Sequence, residues 1–253
     1  MELIDTHCHL DDASFDADRE QVLAHCAENG VQHIIVPGVI AEGWQNLLAL
    51  CHKHSGLYPA LGLHPMYLHR HRSEDLQELP ALIEAERPVA VGEIGLDFYI
   101  KEPDQAGQEQ LLRDQLAIAR EAKLPVLLHC RKAHDRILKA LREIPIKGGI
   151  AHAFNGSQQQ AEQYIELGFK LGFGGMLTFE RSSKLRQLAS DLPVESIVLE
   201  TDAPDMTVAS HHGERNSPEY LPECLAALAE VRNEDPAFLA QQTTSNAKAV
   251  FGI

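Results

Sequence analysis

Two hydrophobic rhythms take turns along the chain. Short runs led by apolar residues read as buried strands at residues 3–10 (LIDTHCHL), 31–36 (VQHIIV), 57–63, 88–94, 125–129, 149–152, 169–175 and 196–202. Between them, apolar residues at helical spacing predict helices. The first covers residues 16–29, with Val22, Leu23 and Cys26 on one face and Gly30 as its stop. The next ones cover 44–54, 76–85, 105–122, 133–142, 157–167 with Ser157 as N-cap, and 182–190. Two closing helices, 218–231 and 236–250, each carry proline near the start.

Eight strand–helix units with nearly continuous apolar strands predict an α/β fold, a closed TIM-type (β/α)8 barrel spanning residues 1–253 as one domain. The rival is an open doubly wound sheet. That fold usually has a glycine-rich phosphate loop after its first strand, where this chain has His7-Cys8-His9.

Composition narrows the picture. A 44% hydrophobic content excludes a disordered chain. The net charge of −15 argues against a broad basic face that coats duplex nucleic acid. A nucleic-acid substrate would then need metal ions and a few local cations to meet its phosphates. Five cysteines, an odd number with no C-x-x-C pair, read as free thiols in a reducing cytoplasm. There is no basic start followed by an apolar run, and no run of roughly 18–20 apolar residues, so neither a signal peptide nor a membrane span is expected.

The first strand carries the chemistry. Side chains alternate faces on a strand, so His7 and His9 point one way and Cys8 the other. Intervals of 84, 36, 23 and 50 residues then lead from His9 to Glu93, His129, His152 and Asp202. These match three, one, one and two strand–helix units. In a barrel they bring all five strand ends to the C-terminal face, where such folds do their chemistry. Six ligands are too many for one tetrahedral ion with an open position. They suit two divalent ions, with His7, His9 and Asp202 on one, His129 and His152 on the other, and Glu93 bridging. A water held between the ions becomes the nucleophile, with Asp202 as the group that orients and deprotonates it. Mixed nitrogen and oxygen ligands suit Zn, Mn, Fe or Co better than Ca.

A second polar set ends the same strands: His64, Asp97, Arg131, Asn155 and Glu200. Arg131, with its planar fork, is the best candidate to meet a phosphate, and Asn155 and His64 could donate to a phosphate oxygen or hold the water. The structural alternatives are an Arg131–Glu200 salt bridge, and an Asp97 that only orients a ligand imidazole. His52, His54, His69, His71, His211 and His212 read as surface. Trp44 reads as a packing residue, and Cys130 turns away from the ligand face.

The motifs DTHCHL (5–10), ALGLHP (60–65), VAVGEIGLD (89–97), PVLLHCR (125–131), HAFNGS (152–157), LGFGG (171–175) and LETDAPD (199–205) together resemble the TatD family of metal-dependent deoxyribonucleases, in the amidohydrolase-like superfamily. The likeness runs almost end to end and is strongest to the YjjV-like branch. It implies a TIM-type barrel, divalent ions and hydrolysis of DNA phosphodiesters, often from a 3′ end. It supports the same ligand roles for His7, His9, Glu93, His129, His152 and Asp202, and His64 matches a motif residue. The family convention is magnesium, whereas so many histidines suit a softer ion, which leaves Mg, Mn and Zn as candidates. Asn155 departs from the family, many members having Ser or Thr after the Phe. Glu93 stands where many amidohydrolases use a modified lysine, which favours the TatD branch.

The leading expectation is a cytoplasmic, metal-dependent, TatD-type nuclease acting on DNA ends or single strands, with no membrane and no obligate protein partner. Its rival is hydrolysis of an ester, lactone or amide, including an aminoacyl-tRNA ester, since the same ions polarise a carbonyl. A basic track from the mouth would favour the first and a closed apolar pocket the second. A non-catalytic binding protein is disfavoured by the complete ligand set.

Overall fold

The computed structural model describes all 253 residues. Its strands are β1 (Leu3–Asp5), β2 (Val31–Pro37), β3 (Leu57–Leu61), β4 (Ala90–Asp97), β5 (Val126–Arg131), β6 (Gly149–Ala151), β7 (Phe169–Phe173) and β8 (Ile197–Leu199). They form one sheet in chain order with every adjacent pair parallel. The β1 and β8 ends meet through backbone bonds, Thr6 N–H to Leu199 O at 3.1 Å and Asp202 N–H to His7 O at 2.8 Å. The sheet therefore curls into the expected TIM-type barrel. The open doubly wound sheet is excluded, because its strand order reverses part-way.

Nine helices cover the outside: α1 (Arg19–Glu28), α2 (Trp44–Lys53), α3 (Ser73–Glu86), α4 (Gln105–Ala122), α5 (His134–Glu143), α6 (Gln158–Glu166), α7 (Ser183–Asp191), α8 (Leu221–Arg232) and α9 (Pro236–Phe251). Ser157 caps α6 as expected, its hydroxyl accepting from Gln160 N–H while the Gln160 side chain accepts from Ser157 N–H. The strands at the seam are shorter than the apolar runs suggest. β1 ends at Asp5, and residues 6–9 stay tied to the segments on both sides through Thr6 N–H to Leu199 O, Cys8 N–H to Ile35 O and His9 N–H to Ala203 O. In the opposite direction, β4 runs three residues beyond its expected end, to Asp97.

The core has two parts. A cluster of 57 buried residues fills the layer between strands and helices. A second cluster of ten lies inside the barrel: Ile4, Ile35, Ala60, Ala90, Leu127, Ile150 and Val198, joined by Ala247, Val250 and Phe251 from α9. Asn246 ties α9 to this end by donating to Val194 O and Ile197 O, and Thr244 donates to Glu2 O. The lower end of the barrel is thus plugged with apolar side chains, and polar chemistry is left to the upper end. Trp44 packs as expected, 2% exposed, with its indole N–H donating to Gly62 O.

All five cysteines are free and buried. Burial pushes the Cys51 and Cys130 thiols up to about 12 and raises those of Cys8, Cys26 and Cys224 as well. Since the thiolate is the reactive form, iodoacetamide at pH 8 should label none of the five in the native protein and all five after unfolding, counted by intact mass.

Candidate metal centre

At the upper end of the barrel, His7 and His9 follow β1, Glu93 sits within β4, His129 within β5, His152 just after β6 and Asp202 three residues after β8. The structure places all six at this end of the barrel. His7 and His9 do share a face, their Nε2 atoms 3.4 Å apart. Two local features of the backbone assist. Gly95, at φ +151, lets β4 pass so near β5 that a side chain there would strike His129 O at 1.9 Å. Asp202 adopts a left-handed conformation, φ 58, which aspartate tolerates better than most residues.

The Glu93 carboxylate is the geometric centre. Oε2 lies 3.2 Å from His7 Nε2 and 3.5 Å from His9 Nε2. Oε1 lies 3.0 Å from His129 Nδ1, 3.4 Å from His152 Nε2 and 3.2 Å from His64 Nε2. Asp202 Oδ1 completes the first group, 3.6 Å from His7 Nε2 and 3.7 Å from His9 Nε2. Four ligands at tetrahedral positions about 2.1 Å from an ion stand about 3.4 Å from one another. The spacings of 3.4–3.7 Å among His7, His9 and Asp202 therefore suit three ligands of one divalent ion, with Glu93 Oε2 3.2 and 3.5 Å from the two histidine nitrogens. Around Glu93 the other donors form two further groups able to hold an ion, one with His64 and His129 and one with His7 and His152.

The outer nitrogens of two of these rings, His129 and His64, are held by other residues, whereas Nδ1 of His7 and of His152 has no hydrogen-bond partner. His129 Nε2 lies 2.9 Å from Asp97 Oδ2, which fixes its proton there and leaves Nδ1 facing Glu93. His64 Nδ1 accepts from Met66 N–H at 3.2 Å, so its Nε2 carries the proton and donates to Glu93. His152 Nδ1 is 3.4 Å from Glu200 Oε1, within ion-pair range but without hydrogen-bond alignment. The His7 ring is stacked on His152, centroids 3.8 Å apart.

Burial and charge compete throughout. Burial works to raise the Glu93 carboxyl, but His64, His7 and His152 hold it well below the usual range. Burial drives His64 down to about 4 against the pull of Glu93, so it is neutral at pH 7. For His152 burial is outweighed by Asp202, Glu200 and Glu93, which lift it to about 10. Burial lifts Asp202 to about 6 despite its histidine neighbours His152 and His9.

Several expectations about neighbouring residues need correction. Arg131 pairs with Asp97 at 3.4 Å and lies 4.3 Å over the Tyr99 ring, so there is no Arg131–Glu200 bridge. Glu200 instead faces His152 and accepts from Ala153 N–H. Asn155 reaches the cup, but its amide is engaged, Oδ1 with His134 Nε2 at 3.2 Å and Nδ2 with Ala153 O. His71 is not a free surface residue: it is half-buried, and its Nε2 donates to His64 O at 2.8 Å. His54 is also partly buried, whereas His52, His69 and His212 are exposed as expected, and His211 stacks on Tyr220. The Cys130 thiol faces Tyr164 on α6, away from the cup.

Sequence reasoning assigned no role to Asp5. Its fully buried carboxyl accepts from His7 N–H and Thr201 N–H at 3.2 and 3.0 Å and bonds the Thr201 hydroxyl, linking the β1 end to the β8 end beneath the ligands. Burial pushes it up to about 8, against these hydrogen bonds. The signal was present in the sequence as an acidic residue two before His7 on an apolar strand.

A family model described as TatD related DNase matches residues 4–252. The chain belongs to this family. It is 42% identical to the metal-dependent hydrolase YjjV of Escherichia coli, over 99% of this chain and 98% of that one. The crystal structure of YjjV superposes with a TM-score of 0.96 at 41% identity, covering 99% of this chain and 98% of the other. A protein named 3′-5′ ssDNA/RNA exonuclease TatD, from Cronobacter sakazakii, is 33% identical over 98% of this chain and 97% of its own. The protein is accordingly a metal-dependent hydrolase of the TatD family, and its helices include none long and apolar enough to cross a membrane.

Two outcomes are expected. Asp5→Ala leaves two buried N–H groups without an acceptor and should lower unfolding stability by about 2–5 kcal/mol, whereas Asp5→Asn, which keeps an acceptor for both, should lose about 1 kcal/mol or less. Chemical denaturation of the two variants checks this. In metal-free protein His152 holds a proton up to about pH 10, and ligation needs its lone pair. Metal uptake should therefore release protons, and affinity should rise with pH from 6 to 9. Calorimetry in buffers of different ionisation enthalpy reads both effects.

Proposed function

We propose that the protein hydrolyses phosphodiester bonds at the ends of single-stranded DNA or RNA, using two divalent ions held by His7, His9, Asp202, His129 and His152 with Glu93 between them. The observation that carries this reading is the division of Glu93. One oxygen faces His7 and His9 and the other faces His129 and His152, all within 3.0–3.5 Å. A carboxylate so divided is what a shared ligand requires, and one ion alone would not call for both groups. The exonuclease named among its relatives supplies the substrate class.

When bound, divalent ions supply Lewis acidity toward a phosphoryl oxygen and lower the pKa of water in the cup. The remaining work falls to side chains. Asp202, at the edge of the cup beside His7 and His9, is placed to orient the attacking water and take its proton. His64, neutral and donating from Nε2, orients Glu93 at the wall of the cup. Arg131, two-fifths exposed at the rim and backed by Asp97, offers its fork to a non-bridging phosphate oxygen. Asn155 lines the same cup, its amide oriented by His134. Lys132, also 4.5 Å from the Tyr99 ring, adds a second cation beside Arg131, a short basic rim in an acidic protein.

The second reading is hydrolysis of a carboxylic ester, lactone or amide. It draws on the apolar lining of a cavity beside the cup, formed by Phe154, Phe173, Leu185 and Leu188 among others.

The test uses metal-stripped protein restored separately with Mg, Mn or Zn, on an end-labelled single-stranded oligonucleotide. Metal-dependent shortening is expected from the wild type. Glu93→Gln should fall roughly 100-fold or more in kcat/KM, several kcal/mol of lost charge stabilisation. Protein that binds two ions and leaves the oligonucleotide intact, yet cleaves p-nitrophenyl acetate, would decide for the second reading.

A further inference from the structure

A cavity of about 600 Å³ opens beside the metal cup, between the ends of β6 and β7 and the start of α7. Ala153, Asn155, Asp202 and Met206 line both spaces, so the two adjoin. No residue of the mechanism above occupies its outer part. Its walls differ in character. Phe154, Phe173, Met176 and Leu185 make an apolar body. Its floor is backbone, because a side chain at Gly174 would stand 2.8 Å from Glu200 O and one at Gly175 2.4 Å from Met206 O. Glu200, 1% exposed, lies in the inner wall, and its Oε2 has no hydrogen-bond partner. Arg181 and Lys184 stand at the outer edge, both exposed, with Ser182 and Ser183 between them. Arg181 rests on the Phe179 ring at 4.9 Å, and neither cation is paired with a carboxylate.

We propose that this cavity is the subsite for the nucleotide that flanks the scissile phosphodiester, with its base in the apolar body and its next phosphate against Arg181 and Lys184. The proposal rests on the nuclease reading and deepens it. The occupant follows from two of these walls taken together. The apolar body suits the ring of a base, and the two unpaired cations at the outer edge suit a neighbouring phosphate. A neutral acyl chain would use the apolar wall alone and leave the two cations unmatched.

The test compares two ligands that share a phosphate and differ in the base. Deoxyadenosine 5′-monophosphate and deoxyribose 5-phosphate are titrated calorimetrically into wild type, Leu185→Trp and Arg181→Ala/Lys184→Ala. The nucleotide should bind the wild type roughly tenfold or more tightly than the sugar phosphate. Leu185→Trp, which fills the body, should erase that difference. The double variant should weaken the nucleotide several-fold. Equal affinity of the wild type for both ligands overturns the proposal, as does a base preference that survives Leu185→Trp. Arg181 and Lys184 are exposed, so the double variant tests the proposal even if Leu185→Trp does not fold, and unchanged nucleotide affinity in it overturns the phosphate contact. Octanoate binding more tightly than the nucleotide overturns the proposal in favour of an acyl pocket. A base preference intact in metal-loaded protein that leaves oligonucleotides uncut supports the subsite and removes the nuclease reading alone.

Discussion

One buried carboxylate sets the terms for the upper half of the barrel. Glu93 is 2% exposed, and an isolated ionised carboxylate in that position would be destabilising by several kcal/mol. It stays ionised because imidazole nitrogens surround it within 3.0–3.5 Å. The rings of His7, His64, His129 and His152 are themselves buried, and burial alone favours their neutral forms. Neither side is comfortable without the other, and a cation shared between them relieves both. The electrostatic arrangement thus favours an ion on grounds that belong to the fold's own balance of charge.

That balance needs rigid surroundings, since an error of an ångström in any ring would leave a charge unmatched in a low dielectric. The rigidity comes from outside the ligand set. Asp97 holds the far nitrogen of His129, the Met66 amide holds that of His64, and Asp5 with Thr201 pins the backbone on either side of His7 and Asp202. Each of these supports lies at or just beyond a strand end, so the barrel's register carries directly into the placement of donor atoms. The apolar plug from α9 works at the opposite end. It closes the interior with packed side chains and leaves only the upper rim polar.

The parts legible in the sequence were those governed by period. Strand–helix alternation gave the barrel, and residue intervals gave the five strand ends, because both depend on the chain's one-dimensional rhythm. His7 and His9 were readable as a pair for the same reason. Contacts between side chains from different units were not readable in this way. Arg131 had two acidic candidates at other strand ends, Asp97 and Glu200, and nothing in the spacing chose between them. The choice follows from β4 running on to Asp97, directly beside Arg131 in the β4–β5 register. His71 looked like one of several surface histidines, and only the turn after β3 brings it under His64 O. The cavity against α7 draws its walls from β6, β7, α7 and the segment after β8, so no single stretch announces it.

The overall charge of −15 and an anionic substrate are compatible once distance is considered. At physiological ionic strength exposed charges are screened beyond about 8 Å. On the nuclease reading proposed above, an approaching phosphate would meet the local field of the rim, with Arg131 on the cup, Lys132 beside it at Tyr99, and Arg181 and Lys184 at the edge of the adjoining cavity. The acidic remainder of the surface still acts on long or double-stranded polyanions, which must bring many charges close at once. A short single-stranded end can place a few phosphates against the rim and keep the rest in solvent. On that reading net charge would act as a filter on substrate length and strandedness, while the buried carboxylates of the cup, surrounded by histidine nitrogens, would contribute little repulsion.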